Sequence, residues 1–285
     1  MPEYPEMQAL AERLVDFAAG SPLAGISILS FSSLASAVPP YDDLIGCTVS
    51  GAHARGKYLM VDTTSSNGEP GVRLIVHLSQ AGRLVFEPQA KTTKPRGALA
   101  RFRFEDGRAV LFREFGTERK AKWWVVPAGE PGPTADLGPD VEDRGTRDFI
   151  LTAEDGARLY TVLRDQHKIA GIGRGYTDDI CHRAGLSPFA TLSALDQSQR
   201  VALADAIEVT IRDALALERQ RSGGLPDKLG DRFRVHRRAG EPCPHPDCDD
   251  TLERVSFSGY ELVYCPTCQT DGKQLADRRL SRLLK

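Results

Sequence analysis

Four cysteines in two close pairs, Cys243, Cys248, Cys265 and Cys268, constrain the C-terminal part of this chain more than any other feature. The pattern is Cys-x4-Cys, sixteen residues, then Cys-x2-Cys. A segment this short has little core of its own. Thiolates at this spacing suit a tetrahedral structural zinc site, whose binding supplies on the order of 10 kcal/mol or more of folding free energy. Leu252–Val255 and Tyr260–Tyr264 read as the two strands of a hairpin between the pairs. His245 lies in the first spacer as a possible substitute ligand, but both cysteine pairs are intact, so four thiolates on one zinc are preferred. The acidic start carries no signal-peptide pattern, which points to a cytoplasmic, reducing setting and to metal rather than disulfides. Cys47 and Cys181 stand alone and read as small buried hydrophobes.

The chain has 285 residues, 41% of them hydrophobic, enough for one large or two medium cores. It has no apolar run of about 18 residues, so no membrane span is expected. The net charge of −2 means that a nucleic-acid role needs a local basic surface.

Met7, Leu10, Leu14, Val15 and Ala18 fall at helical spacing, predicting an amphipathic helix over 5–19 that starts beside Pro5. From 26 to 126 the pattern changes to short β-type runs: Ile26–Phe31, Thr48–His53, Tyr58–Thr63, Val72–Leu78, Arg83–Glu87, Leu99–Phe104 and Ala109–Glu114. Strands at this spacing predict a β-sandwich, and Arg101-Phe102-Arg103-Phe104 alternates strictly. Residues 127–147, with four prolines, read as a linker. Helices follow over 157–165, 174–184 and 196–219.

The chain opens Met1-Pro2-Glu3-Tyr4-Pro5-Glu6. A small second residue lets aminopeptidase remove Met1, which would expose the secondary amine of Pro2. With a reference pKa near about 8, part of that amine is unprotonated at neutral pH. It can form an iminium directly, so it is a covalent nucleophile without a catalytic lysine, and Glu3 beside it could move protons. The competing reading is an ordinary frayed terminus. Gly171-Ile172-Gly173, turning into a helix at Arg174, leaves backbone N–H groups at a positive helix end, a phosphate site by geometry. Lys57 follows Arg55-Gly56; it is either a solvated edge charge or a phosphate contact. Arg113 and Phe115 share one face of an extended segment.

Pro2-Glu3-x-Pro5-Glu6, Arg55-Gly56-Lys57-Tyr58-Leu59, Asp165-Gln166, Ala170-Gly171-Ile172-Gly173, Tyr176, Arg183-Ala184-Gly185-Leu186-Ser187-Pro188, Arg238-x-Gly240-x-Pro242-Cys243 and Tyr264-Cys265-Pro266-x-Cys268-Gln269 follow one another in order. Across essentially the whole chain this resembles the formamidopyrimidine-DNA glycosylase/endonuclease VIII (Fpg/Nei) family. The resemblance implies an α+β multidomain fold: an N-terminal helix with a two-layer β-sandwich, then a helix–two-turn–helix domain with a C-terminal zinc finger, and DNA in the cleft between them. On this chain the divisions fall at 1–130 for the catalytic sandwich, 131–147 for the linker, 148–225 for the helical domain, 232–271 for the finger and 272–285 for a basic tail. The implied activity is bifunctional base excision on damaged double-stranded DNA by a monomer, with iminium formation at C1′ and then β,δ-elimination. Pro2 would be the nucleophile and Glu3 the proton shuttle. Lys57, Gly173 and Arg174 would hold phosphates, while Arg113 and Phe115 fill the void left by an extruded nucleotide.

The departures bear on specificity. Gln80 stands where the family carries an intercalating Met, Arg174 where it has Asn, and Tyr260 where the finger has Arg. The stretch from Glu218 to Arg238 is shorter than the family's capping segment for 8-oxoguanine. The non-Met wedge and short cap favour Nei-like lesions, meaning oxidised pyrimidines and ring-opened or hydantoin bases. The alternatives are an 8-oxoguanine/formamidopyrimidine glycosylase and a non-catalytic damaged-DNA binder. The tail, with Lys273, Arg278, Arg279, Arg282 and Lys285, reads as a surface helix or a further phosphate contact.

Overall fold

The computed structural model describes residues 1–116, 118–228, 232–257 and 259–276, so most of the basic tail lies outside the described residues. The chain divides into two units, Met1–Asp136 with Leu215–Gly230, and Leu137–Ala214 with Asp231–Lys285.

In the first unit α1 (Tyr4–Ala18) starts where Pro5 occupies its first turn and Glu3 caps it. Eight strands follow: β1 (Leu23–Ile28), β2 (Thr48–Arg55), β3 (Tyr58–Thr64), β4 (Arg73–His77), β5 (Gly82–Glu87), β6 (Ala98–Phe104), β7 (Ala109–Glu114) and β8 (Lys122–Val126). They form two four-stranded antiparallel sheets, ordered β1-β6-β7-β5 and β2-β3-β4-β8. This is the expected sandwich. Leu59 and Val76 of one sheet and Leu84, Phe102 and Val110 of the other line one interior space, with Leu14 of α1. Trp123 on β8 is fully buried, meets Phe102 edge-on at 5.4 Å, and donates its indole N–H to Ser33 Oγ at 3.1 Å.

Strict alternation in β6 predicts that Arg101 and Arg103 both face solvent. Arg103 is exposed, but Arg101 is buried. Its Nε and Nη2 donate to Glu87 Oε2 and Oε1 at 2.9 and 3.3 Å across the intervening β7, so the buried cation is matched by a buried carboxylate.

The first unit also takes the end of the long helix and the chain after it. Arg219 pairs with Glu12 at 2.7 Å. Arg13 donates to the carbonyls of Glu218 and Gly223. Leu225 N–H reaches Leu84 O at 3.1 Å, and Arg83 donates to the carbonyls of Pro226 and Asp227. A Cβ on Gly224 would sit 2.0 Å from Leu84 O, so only glycine lets this strap close on β5.

The second unit holds α2 (Arg144–Thr152), α3 (Leu159–Val162), α4 (Arg174–Arg183), α5 (Gln197–Arg219, up to Ala214), the hairpin β9 (Glu253–Phe257) and β10 (Tyr260–Tyr264), and α6 (Pro266–Thr270). α2 begins inside the stretch read as a linker. Its C-terminal carbonyls are capped from α5, where Arg200 donates to Ile150 O and Ala153 O at 2.9 and 3.0 Å. No helix among the described residues is long and apolar enough to cross a membrane.

Removing one partner of the Glu87–Arg101 pair strands a buried charge. Glu87→Ala is expected to lower unfolding free energy by about 3–5 kcal/mol in urea titrations, whereas the double change Glu87→Met/Arg101→Met recovers most of it. Equal losses in both variants would show that packing, not charge matching, holds these strands.

Candidate active site

The sequence places the candidate nucleophile and acid at the chain terminus, and the structure orders that terminus. Pro2, Glu3 and Glu6 are all buried. Glu6, the third residue of α1, receives the Glu3 backbone N–H on its carboxylate at 2.6 Å. The Glu3 side chain accepts the Glu6 N–H in return, completing a capping box. Two orphan donors of α1 are thus satisfied, and Pro2 is held against a helix start rather than fraying. Glu6 was visible in the sequence only as part of a motif; its role is to fix Glu3.

Gln8, one turn further along α1, accepts the Ala54 N–H at 2.9 Å and docks the β2–β3 hairpin on the helix. Gly56 and Lys57 form its two-residue turn between the paired Arg55 and Tyr58, with Gly56 at φ +58°. Lys57 is only 8% exposed, which removes the reading of a solvated edge charge. His77 on β4 stands opposite Tyr58, and their rings lie 4.6 Å apart. Burial, and then the Lys57 charge, push its pKa down to about 4. His77 is therefore neutral at pH 7 and adds a polar group beside the lysine. Sequence reading passed over it because only strand register brings it to Lys57.

Three further residues meet on a second edge of this unit. Gln80 is exposed in a turn closed by Gly82 N–H on Leu78 O at 2.7 Å, where a Cβ on Gly82 would clash at 2.2 Å. Phe115 N–H binds Ala81 O at 3.0 Å, so the segment after β7 is tied to the same turn. The Arg113 guanidinium lies 4.0 Å from the Phe115 ring centroid.

In the second unit Gly173 caps α4 and Arg174 is its first residue. Gln166 organises the preceding turn: its amide donates to Arg164 O and Ile172 O, and its carbonyl accepts the Gly171 N–H. Tyr260 opens β10 and is 41% exposed.

Cys243, Cys248, Cys265 and Cys268 bring their Sγ atoms within 4.8 Å of one another, and His245 is not part of the cluster. The Cys243–Cys268 and Cys248–Cys265 separations are both 3.7 Å. Four sulfurs about 2.3 Å from a tetrahedral zinc stand about 3.8 Å apart, so the cluster fits one ion. His182 of α4 puts Nε2 3.2 Å from Cys243 Sγ, joining the finger to the helical layer. The Asp179 carboxylate accepts the N–H groups of Arg234, Val235 and His236 just before the finger.

The formamidopyrimidine-DNA glycosylase N-terminal domain matches residues 1–120, and the zinc finger found in FPG and IleRS matches 240–270. An uncharacterized formamidopyrimidine-DNA glycosylase-like protein of Mycobacterium tuberculosis is 47% identical over 55% of this chain and 99% of its own length. The formamidopyrimidine-DNA glycosylase of Caulobacter vibrioides is 28% identical over 94% of this chain and all of its own. Among solved structures, Lactococcus lactis Fpg bound to abasic-site DNA superimposes with a TM-score of 0.78 at 20% identity, covering 94% and 99% of the two chains. The chain belongs to the Fpg/Nei family of DNA glycosylases, enzymes that couple base removal to AP lyase activity. Its finger carries one structural zinc.

With all four positions filled by protein, that zinc cannot activate water. Both tryptophans, Trp123 and Trp124, lie on β8 of the sandwich. Chelation or Cys265→Ser is therefore expected to abolish amide-exchange protection over 240–270 while leaving tryptophan fluorescence unchanged. A simultaneous fluorescence change would mean that the sandwich needs the metal too.

His77 also makes a pH prediction. Its folded pKa lies below the ordinary 6.5, so the unfolded chain binds more protons between about pH 6.5 and 4. Stability is lost as pH falls through that window. After allowing for its partial exposure, His77 accounts for about 2 kcal/mol. His77→Gln should lose correspondingly less between those pH values in parallel denaturant titrations. Identical slopes would place the neutral histidine elsewhere.

Proposed function

We propose that this chain is a bifunctional DNA glycosylase/AP lyase that excises oxidised bases from double-stranded DNA through an iminium on Pro2. The observation that carries this is the buried capping box, which presents Pro2 and Glu3 at a fixed helix start. Once Met1 is removed, the Pro2 nitrogen attacks C1′ and the C1′–base bond breaks, with Glu3 giving a proton to the sugar ring oxygen. Ring opening yields a cationic iminium. That cation acidifies the C2′ proton; its loss expels the 3′ phosphate, and a second elimination expels the 5′ phosphate. Water then adds to the iminium carbon, releasing the sugar remnant as an aldehyde together with a proton, and returns free Pro2. Lys57, Gly173 and Arg174 hold phosphates around an extruded nucleotide, whose unstacking costs a few kcal/mol. Gln80, Arg113 and Phe115 fill the gap it leaves, which agrees with their meeting at one turn. We place the enzyme in the cytoplasm as a monomer.

For the lesion, the exposed Gln80 wedge and the short strap pinned by Arg83 favour a Nei-like range. The second reading, formamidopyrimidine and 8-oxoguanine, has the names of its relatives in its favour: structures similar to this chain include Lactococcus lactis Fpg with Fapy-dG DNA and MutM with carbocyclic 8-oxo-G DNA.

Borohydride added to the mature enzyme with abasic duplex should trap one protein–DNA adduct, linked at Pro2. Pro2→Gly should impair trapping, and Glu3→Gln should slow base removal with lesion-DNA affinity nearly intact. A lesion panel then ranks oxidised pyrimidines against 8-oxoguanine. Absence of any adduct from Met1-free protein on abasic DNA would leave only the non-catalytic binder.

A further inference from the structure

Tyr260 stands where the family's finger has an arginine, so residue 260 itself brings no positive charge. The structure puts charge back from another element. The Arg164 guanidinium lies 4.3 Å from the Tyr260 ring centroid and that of Arg174 lies 5.3 Å from it. Both are within the roughly 6 Å over which a cation is attracted to an aromatic face. Arg164 also covers the Tyr160 ring at 4.6 Å. Arg164 follows α3 and Arg174 opens α4, and the Gln166 amide links the Arg164 carbonyl to the Gly171–Gly173 turn. The two cations thus come from chain segments tied to one turn, and both lie over one ring from the finger.

Two like charges sharing a ring repel each other. Among the described residues neither has a carboxylate within ion-pair distance, although most arginines of this unit do: Arg147, Arg183, Arg200 and Arg238 are each paired. A second observation marks the same place. Tyr160 is fully buried, its hydroxyl has no hydrogen-bond partner, and it lies within electrostatic reach of Arg164, Arg174 and Tyr260. Polar capacity and positive charge collect here; the buried Asp178 carboxylate is also within electrostatic reach of Tyr160, but among the described residues it makes no ion pair with Arg164 or Arg174.

Stacking uses the face of a guanidinium and leaves its in-plane N–H fork free for an oxyanion. It also restricts the side chain beforehand, which lowers the entropy lost on capture. We propose that Arg164 and Arg174, held by the Tyr260 ring, form a two-arginine clamp for one backbone phosphate of the DNA, with Tyr260 as a positioning residue. Arg164 thereby supplies the cation that position 260 lacks. The inference rests on the DNA-glycosylase reading above and adds a specific phosphate contact to it.

The test is binding to a duplex carrying a tetrahydrofuran abasic analogue, measured between about 50 and 200 mM salt. Removing one phosphate contact reduces the log–log salt slope by about 0.9 and affinity by about tenfold at the low-salt end. Arg164→Gln should show both, while Arg164→Lys should keep most of the slope. Tyr260→Leu removes no charge, yet it should weaken binding severalfold and add little on top of Arg164→Gln. Tyr260→Phe, which keeps the ring, should bind as the parent does. Zinc content and thermal melting establish that each variant is folded; Tyr260→Leu tests the platform even if Arg164→Gln does not fold. An unchanged slope in folded Arg164→Gln overturns the clamp, and so does a Tyr260→Phe as weak as Tyr260→Leu. In either case wild-type borohydride trapping would leave the glycosylase reading standing. A wild-type protein with neither trapping nor salt-dependent binding overturns that reading instead.

Discussion

The reciprocal pair between Glu3 and Glu6 is the interaction on which the candidate chemistry depends. A chain terminus is ordinarily the least ordered part of a domain. Here the first residues are drawn into the core because α1 needs its first N–H groups satisfied and Glu6 is placed to reach back to Glu3. The buried face of α1, with Met7, Leu10 and Leu14, anchors the helix on the sandwich. Helix capping, usually a modest stability device of about 1 kcal/mol, is on the proposed mechanism the means of holding the Pro2 nitrogen and the Glu3 carboxylate in one geometry. Gln8 extends the same logic by fixing the hairpin that carries Lys57.

Much of this was legible because it depends on local pattern. α1 follows from apolar spacing and Pro5. Seven of the eight strands begin and end within a few residues of their expected positions because turn residues bound them, and the sandwich follows from their number and length; β8 (Lys122–Val126) was not among the expected runs. The zinc centre was readable from spacing alone, since four thiolates have few other uses in so short a segment.

What was not legible depends on register and on distant partners. The burial of Arg101 could not be read from alternation, because the matching carboxylate, Glu87, sits two strands away. His77 joins Lys57 only through the β3–β4 pairing. α2 was hidden in a stretch dominated by proline, and its end is secured by Arg200 from α5. The strap from Gly223 to Asp227 is likewise held by backbone carbonyls accepting from Arg13 and Arg83, contacts that leave no signature in residue type.

Charge distribution explains how a chain of net charge −2 can face a polyanion. Its 37 basic residues are outnumbered by 39 acidic ones, so the total field does not attract DNA. The separation is between arginines paired with carboxylates and arginines that are not. Arg73, Arg101, Arg147, Arg183 and Arg219 each face a carboxylate. Arg113, Arg164 and Arg174 instead lie over aromatic rings with no carboxylate partner among the described residues. An aromatic ring orients a guanidinium without neutralising it, whereas a carboxylate does both. Rings therefore keep these three cations both ordered and available. A local basic surface can then be built by the choice of neighbour, with no excess of basic residues in the chain.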